Sequence, residues 1–262
     1  FCKKFDTPMF FSHFIYTEKK GEKRMSINLN DLDYKETLIK FLKIHYTPQD
    51  EMFSFINVGS RYNGRKILIN KNKKIISKQR GIYQCHYIKT SNINDMNDSL
   101  INFIDSLSKY RDYYISCNTF KKARKRELKY IFTLHNIVID IDCHKKINRD
   151  LLNYEIESFL YELKDQYESH KIPTPNSIVC TGRGIQVWWA INPIPYKAKH
   201  YYDVVKSNIM YKLKDILNDQ SCHLKVDNAA SNNYVGYYRL PGTFNTKAGD
   251  FSSLKIINEE TM

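Results

Sequence analysis

Two aspartates, two positions apart, are the residues of this sequence best suited to do chemistry. Asp140 and Asp142 end the otherwise apolar run Ile137–Asp142, which predicts a β-strand over 136–142. Alternate strand residues share a face, so both carboxylates project together. Adjacent carboxylates repel, and a divalent cation relieves the repulsion by taking their oxygens as ligands. Solvated acids at the end of an ordinary strand are the plainer alternative. The apolar strand before them favours a metal site.

A third acid, Asp227, follows Val226. The sequence predicts a strand over 234–240 just after it, as the last strand of a β-α-β-β-α-β unit. That strand would lie beside the first one, so Asp227 would reach Asp140 and Asp142. Three such carboxylates could hold the ions that activate a hydroxyl and stabilise pyrophosphate in nucleotidyl transfer. Taken alone, Asp227 is more typical of a turn with Asn228.

Two turns carry groups suited to phosphate. The first joins two predicted strands through Thr181, Gly182, Arg183 and Gly184, with Gln186 on the strand that follows. Glycines let backbone N–H groups approach an anion, and a guanidinium can bind a phosphate. The alternative is a plain hairpin with an exposed arginine.

The second turn, Pro241-Gly242, is surrounded by Arg239, Asn245 and Lys247. These polar groups on a rigid turn suit a nucleoside triphosphate. A strand and turn with merely exposed cations would produce the same pattern.

Hydrophobic periodicity places these residues on elements. In the first half it predicts helices over 31–44 and 98–109, and strands over 53–58, 66–70, 83–88 and 113–117. In the second half it predicts helices over 148–170 and 198–217, and strands over 136–142, 177–181, 185–191, 234–240 and 253–257. The sequence therefore predicts an α+β protein. An amino-terminal α/β lobe (1–125) would pack on a ferredoxin-like, RRM-like catalytic lobe (126–262).

Composition narrows the class of partner. The 262 residues include 41 Lys plus Arg against 28 Asp plus Glu, a net charge of +13. This excess indicates nucleic acid, nucleotides or an anionic membrane, or else only a basic surface. At 42% hydrophobic and 14% aromatic, the chain is too apolar to be disordered. It contains no apolar run of the ~20 residues that span a bilayer, and we expect no membrane association.

The cysteines and the amino-terminal residues indicate the cellular compartment of the protein. The six cysteines form no C-x-x-C pair, which favours reduced thiols in the cytoplasm over zinc ligands or disulfides. No secretory signal is visible. Because the first residue is Phe1 and not Met, we expect this to be part of a longer protein.

Taken in order, the motifs resemble those of the archaeo-eukaryotic primase superfamily. They are most similar to the primase-polymerase domains of replication proteins from plasmids and other mobile elements. The hDhD strand is Ile139–Asp142, the second motif is Thr181–Gln186, and the third is Val226-Asp227. The resemblance covers about 113–247. It departs at Gln186, where the family usually has a histidine. Glutamine can bond a phosphate but carries no charge or exchangeable proton.

The resemblance implies a nucleotidyltransferase that makes primers on single-stranded DNA with two Mg²⁺ or Mn²⁺ ions. The ions would be bound by the three carboxylates of Asp140, Asp142 and Asp227. The nucleoside triphosphate would be bound by Thr181, Arg183, Gly184, Gln186, Arg239, Asn245 and Lys247. The template would follow the cations Arg61, Arg65, Lys121, Lys122, Arg124 and Arg126, although a solvated helix face explains the 121–126 run equally well. A helicase, separate or in a further region of the protein, is the expected partner.

Two other functions fit a basic, mobile-element protein. A nickase needs a His-x-His metal site and a tyrosine nucleophile; tyrosines are plentiful, but no His-hydrophobic-His motif occurs. A non-catalytic binder of single-stranded DNA or of a replication origin would have the same fold, and Gln186 is compatible with it. An RRM-like binder displays aromatic residues on its middle strands, whereas the first strand here displays two acids.

Overall fold

The computed structural model describes most of the chain. The described ranges are 15–19, 22–26, 31–46, 54–62, 65–69, 75–80, 84–94, 111–122, 126–220 and 222–260. The helix predicted over 98–109 lies outside them. No helix among the described residues is long and apolar enough to cross a membrane.

The described elements are a mixture of helices and strands. The first half contains β1 (Ile15–Lys19), β2 (Glu22–Ser26), α1 (Asp31–His45), β3 (Phe55–Tyr62), β4 (Arg65–Ile69), β5 (Ile75–Arg80), β6 (Gln84–Lys89), α2 (Ser91–Asn94) and β7 (Arg111–Ser116). The second half contains β8 (Thr133–Cys143), α3 (Arg149–Glu168), β9 (Ser177–Cys180), β10 (Gly184–Pro195), α4 (Lys199–Asp219), β11 (Leu224–Val226), α5 (Asn228–Ser231), β12 (Tyr237–Arg239), β13 (Phe244–Asn245), β14 (Asp250–Phe251) and β15 (Ser253–Ile256). Short 3₁₀ turns lie at Leu128–Tyr130 and Tyr196–Ala198. The prediction of an α+β chain is confirmed.

A five-stranded antiparallel sheet has the order β11-β8-β10-β9-β15. Its first four strands, with α3 and α4, form the predicted β-α-β-β-α-β unit in the ferredoxin-like order 4-1-3-2. The helix α3 begins where the Asn148 side chain accepts a hydrogen bond from the Leu151 N–H at 2.7 Å, as an N-cap does.

The predicted last strand of this unit is wrong. Its fourth strand is β11, whereas β12, within the predicted 234–240 strand, pairs with β7 in another sheet. Alternation of side chains marks a strand but does not specify its partner. The three-residue β11 is too short for its pattern to be recognised.

A four-stranded antiparallel sheet has the order β12-β7-β3-β6. It draws strands from both sides of residue 125, and the boundary placed there stays a prediction. One face of this sheet carries Ile56, Val58, Ile115 and Tyr238, which are buried against α1 and the five-stranded sheet.

Strand β8 lies between two apolar clusters. Its odd residues Ile137, Ile139 and Ile141 are buried in the cluster that includes α3 and α4. Its even residue Val138 and the facing Trp188 are buried with Phe41 of α1 and with the four-stranded sheet. Asp140 and Asp142 continue this even face, beyond the point where the second cluster ends.

Candidate functional site

The acid pair lies on one face of β8, as the sequence predicts. Asp140 is partly buried, and 30% of the Asp142 side chain is exposed. The pKa of Asp140 is raised to about 7, mainly by burial and also by the nearby charges of Asp142 and Asp227. A hydrogen bond with Gln186 and the charge of Arg239 oppose this rise. Near neutral pH this carboxyl is therefore poised between its two protonation states.

Gln186 lies directly opposite Asp140 on β10 and is 6% exposed. Among the described residues its Oε1 atom has no hydrogen-bond partner. A buried amide oxygen without a partner costs free energy unless a ligand or water satisfies it. Its place beside two carboxylates makes it a third oxygen donor, the type that Mg²⁺ and Mn²⁺ accept.

Asp227 lies beside the pair but is held differently. Its N–H donates to the carbonyl oxygen of Asp140 at 2.8 Å. Its Oδ1 accepts from the Ala230 N–H at 2.9 Å, which caps the short helix α5. Ser231 of the same helix accepts from the Asp140 N–H through Oγ at 2.9 Å. The Asp227 backbone is thus fixed at the site, and one carboxylate oxygen is already engaged.

The fit of a metal ion follows from these three positions. Within the described part of the chain, no group of three or more His, Cys, Asp and Glu side chains is placed to hold an ion. Asp140, Asp142 and the Gln186 oxygen nevertheless provide a donor set suited to one hard divalent cation. The third carboxylate, Asp227, has one oxygen engaged in the cap of α5, so it could join them through the other oxygen.

The turn from Thr181 to Gly184 brings Arg183 to the acids. Gly182 has φ +81°, a left-handed conformation that favours glycine. A Cβ on Gly184 would overlap the carbonyl oxygen of Ile141, so the two strands approach closely only because this residue is glycine. The Arg183 Nη2 atom lies 3.8 Å from Asp142 Oδ2, and 41% of the arginine side chain is exposed. Arg183 therefore borders the acid pair and is open to an anion.

Arg239 and Asn245 have internal partners. Arg239 donates to Asp112 at 2.9 Å in a buried ion pair, and its charge reaches Asp140. Asn245 donates through Nδ2 to the Thr181 carbonyl at 2.7 Å, which joins the two predicted phosphate turns. Lys247 is exposed. The structure thus places Arg239 and Asn245 where they position the turns, while Lys247 stays open to solvent.

The predicted template cations are only partly described. Lys121 and Lys122 are exposed, and the Arg126 guanidinium carbon lies 3.8 Å from the centre of the Tyr237 ring. The side chains of Arg61 and Arg65, and all of Arg124, lie outside the described residues. Their role in template binding stays a prediction.

Three site residues were missed by the sequence reasoning. Asp112 of β7 accepts from Arg239, from the Thr246 N–H at 3.0 Å and from its hydroxyl at 2.8 Å. Lys225, exposed on β11, lies opposite Asp142 and shares its face. Ser231 bonds the acid strand. An acid inside an aromatic strand was a signal for Asp112; nothing in sequence singled out Lys225 or Ser231.

Comparison with known proteins gives two matches, and no family model matches the chain. A replication protein from Clostridium perfringens is 28% identical over 176 residues, 67% of this chain and 36% of that protein. The match therefore spans about a third of that relative's length. The AEP domain of the cyanophage S-2L primase-polymerase has a TM-score of 0.48 and 10% identity, covering 87% of this chain and 92% of that domain.

The relative from Clostridium perfringens is described as a replication protein, which agrees with the resemblance to replication proteins noted in the motifs. A TM-score below 0.5 and identities below 30% assign no activity to this chain. Its chemistry has to be argued from the site.

Proposed function

We propose that this chain is a primase-polymerase domain that synthesises primers on single-stranded DNA in the replication of a plasmid or other mobile element. The observation that carries the proposal is the acid pair Asp140 and Asp142 beside the unpartnered, buried oxygen of Gln186. A site that concentrates negative charge within a chain of net charge +13 needs a cation before it can accept an anionic substrate.

Asp140, Asp142 and Gln186 would hold a Mg²⁺ or Mn²⁺ ion, with Asp227 joining for a second. Such ions lower the pKa of an attacking hydroxyl and neutralise a leaving pyrophosphate. Arg183, which borders the acid pair, and the exposed Lys247 would bind the triphosphate as guanidinium fork and point charge. Gly184 would admit the phosphates close to the backbone. Thr181, Asn245 and Arg239 would hold these turns in place.

A non-catalytic binder of single-stranded DNA or of an origin is the second candidate. Three observations favour it: Asp227 is engaged as a helix cap, Arg239 is paired with Asp112, and Gln186 cannot carry a proton. In such a protein Asp140 and Asp142 would be present, but Asp227 would not act as the third carboxylate ligand that two-ion chemistry requires.

The wider setting is proposed on the same basis. A relative described as a replication protein, about three times as long as the matched segment, suits a domain that acts with a helicase, either in the same chain or separate. The cytoplasm is the compartment in which such a protein would work. In keeping with it, the five cysteines of the described residues are free thiols.

The test is primer synthesis by the purified protein. A single-stranded template is incubated with labelled ribo- or deoxynucleotides and Mg²⁺ or Mn²⁺. We expect extension products from the wild-type protein and none from Asp140→Asn/Asp142→Asn. The matched control is Asp165→Asn, at an exposed position on α3. DNA binding without any product would establish the second candidate. DNA joined covalently to a tyrosine would establish a nickase.

A further inference from the structure

Two tyrosine rings lie between two arginine guanidinium groups on the outer face of the four-stranded sheet. The Arg126 guanidinium carbon lies 3.8 Å from the Tyr237 ring centre, the Tyr237 and Tyr114 ring centres are 6.3 Å apart, and the Arg239 guanidinium carbon lies 4.6 Å from Tyr114. We call these four residues the Arg–Tyr stack. It begins at the half-buried Arg126 and ends at the buried Arg239, beside the acidic site.

Strand register explains why the tyrosines face outward. Tyr114 lies opposite Gly59 in the register, and the next residue of β7, Ile115, faces the core. A Cβ on Gly59 would lie 2.7 Å from the Tyr237 ring. The missing side chain therefore lets that ring lie against β3. Both phenol rings are only partly buried, so the sheet presents aromatic surface rather than covering it.

Exposed cations lie on the same sheet and next to it. Lys89, opposite Phe55 on the same sheet, is exposed, as are Lys121 and Lys122. These two follow Phe120, which bridges to Phe55 and so brings the basic segment to this sheet. Two acids of the described residues in this region are paired, Asp112 with Arg239 and Glu127 with Lys129 at 2.9 Å. The surface thus combines π-faces with an excess of positive charge.

We propose that the Arg–Tyr stack binds single-stranded nucleic acid, with bases stacking on Arg126 and the tyrosine rings and phosphates meeting the lysines. Aromatic and guanidinium planes accept any base, while cations follow the backbone. The choice of partner rests on the proposed function, because the stack runs from Arg126 to Arg239, whose charge reaches Asp140. The plain alternative is that Arg126 only packs on Tyr237.

The experiment measures binding of a fluorescein-labelled oligothymidylate by anisotropy, without divalent cations. We expect Arg126→Ala to weaken binding about tenfold. Arg126→Lys keeps the positive charge but lacks the planar guanidinium on which a base would stack, so we expect a similar loss of affinity. The control Lys164→Ala, at an exposed position on α3, leaves binding unchanged. Lys121→Ala/Lys122→Ala lowers the salt dependence of binding while the preference for bases persists. An oligouridylate arm distinguishes RNA from DNA.

An abasic strand of equal length separates stacking from charge. We expect the wild-type protein to bind it more weakly than oligothymidylate, and Arg126→Ala to bind the two alike. Wild-type affinity in Arg126→Ala or Arg126→Lys, or equal wild-type affinity for abasic and normal strands, would overturn the proposal. Thermal melts of each variant establish that it is folded. Binding is measured without any nucleotide chemistry. The binding result therefore does not depend on whether primer synthesis is lost in the Asp140→Asn/Asp142→Asn protein.

Discussion

The same face of β8 carries two polar positions with opposite surroundings. At one end, Asn136 donates to the carbonyl oxygens of His45 and Cys117, each at 2.8 Å, and its Oδ1 lies 2.7 Å from His45 Nδ1. At the other end, Asp140 lies among like charges and beside the unpartnered oxygen of Gln186. Only Val138 separates them on that face.

This contrast distinguishes a structural polar network from a functional one. The buried His45 completes the first network, with its Nε2 atom 2.8 Å from Ser177 Oγ. Since Asn136 Oδ1 can only accept, Nδ1 of His45 carries the proton and Nε2 accepts from the serine. Every group is satisfied, so this end needs no ligand. The Asp140 end is satisfied only when a proton or cation arrives, which is how a binding site differs from a core.

The largest expected effect on stability comes from breaking the satisfied end. Asn136→Ala leaves two carbonyl oxygens and the His45 Nδ1–H without partners, and we expect a loss of about 3 kcal/mol or more in the free energy of unfolding. Urea titration measures it, with Asn153→Ala on the exposed side of α3 as the control. A loss below about 1 kcal/mol would show that the network is weaker than its geometry indicates.

At the Asp140 end of this face, we expect a substitution to raise the free energy of unfolding instead of lowering it. Folded Asp140 has a pKa of about 7 against an ordinary value of 3.8, so the folded state binds its proton more tightly than the unfolded state. Stability contributed by that proton is present below pH 3.8 and is lost as pH rises to about 7. Asp140→Asn should therefore be more stable than the wild type at pH 8, by on the order of 2–4 kcal/mol.

That gain should disappear at low pH. Urea midpoints of the wild-type and Asp140→Asn proteins are compared at pH 8 and at pH 4. We expect the two midpoints to converge at pH 4. Asp165→Asn provides the control at both values. If the stability gain of Asp140→Asn were the same at both pH values, the surroundings of Asp140 would not raise the pKa of its carboxyl group.

The histidine of the satisfied end has the reverse pH dependence. Burial lowers the pKa of His45 from 6.5 to about 3, so the unfolded state gains a proton first on acidification. Stability is full above pH 6.5 and is lost as pH falls towards 3, by about 2 kcal/mol at pH 5. His45→Gln should flatten this fall between pH 7 and pH 5, whereas His144→Gln, at an exposed position, should not. An unchanged slope in His45→Gln would contradict the assignment.

The smallest expected effect is stabilisation by a divalent cation. Mn²⁺ at ten times its Kd should add about 1.4 kcal/mol and raise Tm by a few degrees. Asp140→Asn/Asp142→Asn should abolish the shift, and Asn136→Ala should keep it, because its network is far from the cation. The same shift in the double variant would place the cation elsewhere.

Sequence patterns were informative where a property repeats along the chain. The apolar run before Asp140 and Asp142 predicted β8 and their shared face, because strand alternation is a local property. The helices α3 and α4 and the turn at Gly182 were predicted for the same reason. Asp227 does lie beside the pair, through the 2.8 Å bond of its N–H to the Asp140 carbonyl, although the strand predicted to bring it there pairs elsewhere.

Tertiary structure alone decided which groups are satisfied. The pairing of Arg239 with Asp112, the capping by Asp227 and the solitary oxygen of Gln186 depend on contacts between residues far apart in the chain. The partner of β12 belongs with these, since edge pairing is set by packing and not by alternation. The sequence by itself therefore determined which residues carry the charge. The fold decided which of those charges are neutralised internally and which are left for a cation and a substrate. The reason is that the free-energy cost of an unpaired polar group depends on its burial and its partners, not on its residue type.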